Sequence, residues 1–209
     1  MTIATHAQLK TSIADWAARP ELADTLLTDF VTLTEAMFNN GDQSIDFPPL
    51  RARQMEETAT VTVSGGTGDL PSDFLEAIKV KDPGDTTRNI EFATPDWIDE
   101  NFPTGQDGTY PSFYTIIGDQ LICPISVSLT YYQSIPTLTT GASTTNWLLT
   151  AAPNAYLWGG LMQYSIYSKN AENVGYYRTL LVGALSGIQR SSIGSKAGRL
   201  TRRSGAVAW

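Results

Sequence analysis

The chain has 209 residues, 42% of them hydrophobic, and a formal net charge of −7. That length buries a substantial core without disulfides or metals, and the ordinary apolar content separates it from disordered chains. A single cysteine, Cys123, excludes an internal disulfide. No run reaches the ~18 apolar residues of a membrane span. The opening MTIATHAQLK lacks the apolar centre of a signal peptide, so the protein is expected to be made in the cytoplasm.

The first third reads as two helices. Leu9, Ile13, Trp16 and Ala17 share one helical face. Arg19-Pro20-Glu21 breaks that pattern, with proline suited to the first position of a new helix. Leu22, Leu26, Phe30, Leu33 and Met37 then recur at spacings of four and three, which predicts an amphipathic helix ended by Asn39-Asn40-Gly41. The period changes next. TATVTV at 58–63 alternates threonine with apolar residues, as a half-buried strand does, and SGGTGD follows as a loop without the Gly-Lys-Ser/Thr ending of a P-loop. FLEAIKVKD offers a second strand. TPDWIDENF predicts a short helix capped by Thr94, with Pro95 at its first position.

YTIIGDQLIC at 114–123 reads as a hairpin turning at Gly118-Asp119, and ISVSLTYY alternates as a strand with one buried face. Cys123 lies in this strand-like stretch and reads as a small buried hydrophobe. A linker rich in Thr, Gly and Ser runs from Pro136 to Asn146. Pro153 opens a helix that is apolar nearly all round and therefore expected at the centre of a bundle. The last helix places Val174, Tyr177, Leu181, Leu185 and Ile188 on one stripe and Gly175, Thr179, Gly183 and Gly187 on another face. Each glycine costs a helix about 1 kcal/mol against alanine. The row predicts either a tight helix–helix seam or a marginal helix. The fold class that follows is α+β. Helices from the two ends (1–50 and 137–194) form a bundle, an antiparallel β region at 51–136 is inserted between them, and 195–209 is an extended tail.

Charge is unevenly distributed. All 21 acids lie at or before Glu172, with eight bases among them, so residues 1–172 carry −13; the six bases after Glu172 give 173–209 a charge of +6. Such asymmetry suits a tail that meets something acidic, or a solubilising end. Residues 195–209 reach up to ~50 Å when extended. Leu200, Val207 and Trp209 would fill pockets, with Trp209 the anchor. Arg199, Arg202 and Arg203 would pair with carboxylates, a geometry that suits arginine, and Lys196 belongs to the same docking tail.

Little here supports chemistry. His6 is the only histidine, near a terminus expected to be loose, which is a poor setting for a triad base. Clustered Cys and His for zinc are absent, and neither DQSID (42–46) nor DWIDEN (96–101) supplies a calcium loop. No cofactor, metal or catalytic residue is expected. A glycosidase pair of carboxylates stays open, since its members can come from anywhere in a chain. A body at −13 does not suit phosphate binding, but it does suit a path along which DNA slides without sticking.

The segments ADWAARPEL, RQMEETATVTV, LPSDFLEA, TPDWIDENFP, YPSFYTIIGDQLIC, LTYYQSIPTLT and NWLLTAAPNAYLWGGLMQY, in this order, resemble the head-to-tail adaptor (portal adaptor or tail accessory factor) family of tailed bacteriophages, over roughly residues 7 to 190. The resemblance implies a structural virion protein at the head–tail junction, not an enzyme. It implies a ring of twelve copies under the portal, an extended DNA channel without sequence-specific binding, a platform for a tail-side protein, and a C-terminal segment that grips the portal protein. That last role reaches residues from Ser195 onward by position alone. A cell-wall glycosidase carried in the virion and a tail-completion or stopper protein are the alternative expectations.

Overall fold

A computed structural model of the chain describes residues 3–85, 88–106, 113–141 and 144–196, the last six as backbone alone. The fold is α+β. In chain order its elements are α1 (His6–Trp16), α2 (Asp24–Asn40), β1 (Glu56–Val61), β2 (Thr67–Asp69), β3 (Phe74–Lys81), β4 (Asn89–Phe92), α3 (Pro95–Asn101), β5 (Phe113–Ile117), β6 (Gln120–Ile122), β7 (Val127–Gln133), α4 (Trp147–Ala151), α5 (Pro153–Tyr167) and α6 (Ala171–Lys196). They divide into two compact units. Met1–Arg53 with Ile135–Trp209 forms a helical unit, and Gln54–Ser134 forms a β unit.

In the helical unit α1, α2, α4 and α6 all pack on α5. This follows from its sequence, which offers no charged residue between Pro153 and Tyr167. Two adjacent glycines let the neighbours approach. A Cβ on Gly159 would overlap Thr34 of α2, and one on Gly160 would overlap Ile13 of α1. The close seam of this bundle therefore runs along α5, a place the residue pattern did not single out.

Three readings of the first third are corrected. Pro20 does not open a helix. Ala18 takes a left-handed conformation (φ 52°), its N–H bonds to the Asp15 carbonyl, and Arg19 N–H bonds to the Ala14 carbonyl. That is a Schellman ending, and it carries Pro20 into the connection before Asp24. The buried face of α2 is Leu27, Phe30, Val31, Thr34, Glu35, Met37 and Phe38, while Leu33 is 52% exposed. The apolar pattern misplaced that face because two of its members are polar: Thr34 bonds to the Phe30 carbonyl and Glu35 is satisfied internally. Finally, His6 is not at a loose end. It starts α1, is 1% exposed, and its N–H is held by the Thr144 carbonyl at 2.7 Å.

The β unit is a seven-stranded sheet ordered β1-β7-β3-β4-β5-β6-β2. Every pairing is antiparallel except β4 with β5, which are joined through α3, as a parallel pair requires a crossover. Thr94 caps α3 by accepting from Trp97 N–H, with Pro95 at the first position. Trp97 packs on Phe113 of β5, ring centres 4.6 Å apart. Gly118-Asp119 forms the β5–β6 turn, with Gly118 at φ 59°. The SGGT stretch is also a turn: Ser64 and Thr67 exchange backbone bonds around Gly65 and Gly66, both at positive φ, and β2 follows. Val127, Leu129 and Tyr131 of β7 alternate into the core with Val61, Val80, Ile90 and Leu121. Cys123 joins them, and burial raises its thiol pKa.

Candidate functional site: assembly surfaces and a buried polar cluster

The glycine row lies on α6. Among the described residues, a Cβ built on Gly175, Gly183 or Gly187 meets nothing within 4 Å, and Thr179 Oγ1 donates to the Gly175 carbonyl of its own helix. Leu181 and Leu185 turn the opposite way and are buried. The open face also carries exposed Tyr176 and Val182, and it holds no charge from Val174 to Gly187 except Arg178. Arg178 is occupied elsewhere. Its Nε donates to the Ile45 carbonyl and its Nη2 to the Asp46 carbonyl at 2.7 Å, tying α6 to the connection after α2. An exposed helix face in water is ordinarily lined with charged residues; this one is small and apolar.

Beside it runs a line of aromatic rings. Trp16 of α1 meets Trp158 of α5 edge-on at 5.2 Å. Trp158 stacks on Tyr177 of α6 at 6.2 Å, and Tyr177 meets Tyr176 at 5.4 Å. The two ends of this line, Trp16 and Tyr176, are 56% and 60% exposed. Burial, with Tyr176 adding to it, raises the Tyr177 pKa.

Of the expected docking tail, α6 includes Ser195 and Lys196. Arg199, Leu200, Arg202, Arg203, Val207 and Trp209 lie outside the described residues.

Two buried polar groups stand out in the helical unit. Glu35 of α2 is 4% exposed. Its Oε1 accepts from Leu138 N–H at 3.0 Å and from the Tyr156 hydroxyl at 3.1 Å. That hydroxyl accepts from Asn146 Nδ2 at 2.7 Å. Asn146 also donates to the Pro136 carbonyl and caps α4 by accepting from Leu149 N–H. Burial pushes the Glu35 carboxyl up to about 7, against the pull of the Leu138 and Tyr156 bonds. Burial is also the first cause that pushes Tyr156 upward, followed by the neighbouring Glu35 charge. On α1, Lys10 is buried and pairs with Asp24 at 2.6 Å. Burial, then Lys10, lowers the His6 pKa, with weaker opposing effects from Asp24 and the Thr139 backbone.

Glu35 has the raised pKa of a general acid, but Leu138, Tyr156 and α2 enclose it. A glycosidase needs two carboxylates facing one sugar ring across an open cleft. Among the described residues no group of three or more His, Cys, Asp or Glu side chains is gathered so as to hold a metal ion, and no helix is long and apolar enough to cross a membrane.

An apolar helix face left open, with exposed aromatic rings beside it, is what a protein made for contacts with other proteins offers. The sequence matches the family described as SU10 adaptor protein over residues 4–206. The chain therefore belongs to that family of phage head-to-tail adaptors, a structural family. No curated protein matches it.

Proposed function

We propose that this chain is the head-to-tail connector adaptor of a bacteriophage virion. Copies assemble into a ring of twelve beneath the portal protein, extend the DNA channel and present a platform to a tail-side protein. The observation that carries this reading is the adaptor-family match across 203 residues, 4–206. The open face of α6 supports the ring: Gly175, Thr179, Gly183 and Gly187 would let a neighbouring subunit's backbone approach closely, and Trp16 and Tyr176 would be covered at the same time. The charge split supports the tail. A +6 C-terminal stretch suits an acidic face on the portal, and the −13 remainder suits a channel wall that DNA passes without binding.

The test uses the full chain, a truncation after Gly194 and purified portal rings. The full chain co-sediments with portal, and the truncated chain keeps its circular dichroism spectrum but no longer does. Unchanged portal binding by the truncated chain contradicts the docking role of Lys196, Arg199, Leu200, Arg202, Arg203, Val207 and Trp209. Images of the complex also separate an adaptor, seated directly on the portal, from a stopper or tail-completion protein seated below another ring.

A further inference from the structure

The chain returns from the β unit to the helical unit through residues 135–138, and two side chains of α2 hold it there. Asn39 Oδ1 accepts from Ile135 N–H at 3.0 Å. One turn earlier, Glu35 Oε1 accepts from Leu138 N–H and from Tyr156. The two fastenings have the same geometry, but one is an amide that never ionises and the other is a carboxyl that does.

The surroundings of Glu35 leave it without a cation. The helices packed most closely on α2 are α1 and α5, and the connection after α2 brings Arg51, whose guanidinium donates to the Asn39 and Leu50 carbonyls. α1 brings His6, Lys10 and Asp15, and Lys10 is held by Asp24. α5 brings Tyr156 to Glu35, while its Tyr164 and Tyr167 pack on Phe30. α4 and the segment 135–146 carry no ionisable side chain. A buried carboxylate with donors but no counter-charge is expensive, whereas its protonated form keeps both bonds and loses only the charge.

We propose that Glu35, with Tyr156 and Asn146 behind it, is a proton-controlled clamp on residues 135–138. The clamp closes when the carboxyl takes up a proton and loosens when it ionises. Opening lets the carboxylate reach water, so opening becomes easier as pH rises through the Glu35 titration. The change begins above the ordinary carboxyl value of 4.5 and is complete just past the raised value of about 7. The same segment leads to Asn146 and the α4 cap, so loosening at Leu138 spreads to the first turn of α4.

The test is residue-resolved amide hydrogen exchange on the full chain, corrected for the intrinsic pH dependence of exchange. Between pH 6 and pH 8 the protection of the Leu138 amide falls about tenfold, and that of the Ile135 amide, held by Asn39, changes much less. In Glu35→Gln the Leu138 protection is the same at both pH values. In Tyr156→Phe, which withdraws a donor that stabilises the ionised form, the upper end of the fall moves to higher pH and the fall between pH 6 and pH 8 grows. The proposal is overturned by any of three results: Leu138 protection in the wild type that moves no more than that of Ile135, a tenfold fall that persists in Glu35→Gln, or an unmoved transition in Tyr156→Phe. The third result decides the matter alone if Glu35→Gln does not fold.

Discussion

A glutamate and a histidine buried a few residues into the bundle make stability depend on pH in opposite senses. The carboxyl of Glu35 rises from 4.5 to about 7, so folding favours its protonated form. Its contribution is full below 4.5 and is lost as pH rises through about 7, a span worth about 3 kcal/mol in all. Between pH 6 and 8 the loss is about 1.4 kcal/mol. The Glu35 contribution therefore lowers the melting temperature by about 3–6 °C over that interval, and calorimetry of Glu35→Gln lacks this fall. His6 works the other way. Its pKa lies below 6.5 because of burial and Lys10, so its contribution is present above 6.5 and is lost as pH falls through the lowered value. A third residue tests close contact. Gly159→Ala forces a methyl onto Thr34 and lowers stability by about 1–3 kcal/mol in denaturant titrations. None of these three roles was legible beforehand. A carboxylate on an apolar helix face reads as a surface charge, a histidine six residues from a terminus reads as loose, and Gly159 is hidden in an apolar run. Each depends on a partner far along the chain: Leu138 and Tyr156, Thr144, and Thr34.

The elements themselves were more legible, because local pattern dictates them. Alternation marks β7, the Gly118-Asp119 pair marks the β5–β6 hairpin, and Thr94-Pro95 marks the start of α3. The α1–α2 connection was misread because Ala18 holds a conformation that sequence rules assign to glycine. Lys169 does the same at the end of α5, at φ 57°, with Asn170 N–H bonded to the Ser165 carbonyl. Replacing Ala18 or Lys169 with glycine relieves that strain and raises stability by about 0.5–1 kcal/mol, measurable as a shift in denaturation midpoint at constant slope. The α6 row was seen in the sequence, but not which chain would meet it. Among the described residues of one chain, Gly183→Ala and Gly187→Ala meet no atom within 4 Å, so each stabilises α6 by about 1 kcal/mol. If a neighbouring subunit packs there, the same substitutions weaken self-assembly. Calorimetry and mass photometry on one variant separate the two effects, and a variant that is more stable yet assembles normally rules out the α6 face as the seam.

At the scale of the whole chain, a β unit is inserted into a bundle built from both ends. The bundle offers a helix face whose one charge, Arg178, is bonded to the Ile45 and Asp46 carbonyls, the aromatic line from Trp16 to Tyr176 and the root of a basic C-terminal stretch. Its acids all precede that stretch, so attraction to an acidic portal surface should weaken with salt. Raising the ionic strength from 0.05 to 0.5 M reduces co-sedimentation of the full chain with portal, whereas binding indifferent to salt argues for a mainly apolar contact through Trp209. The central claim is that this chain rings the portal with neighbouring copies meeting on α6. A cryo-electron microscopy map of the chain assembled on its portal tests it most directly. The map should show twelve copies under the portal, Gly175, Gly183 and Gly187 of each within contact distance of the next copy, and residues beyond Lys196 seated on portal protein. A portal left bare, or a ring whose α6 glycine face looks into solvent, contradicts it.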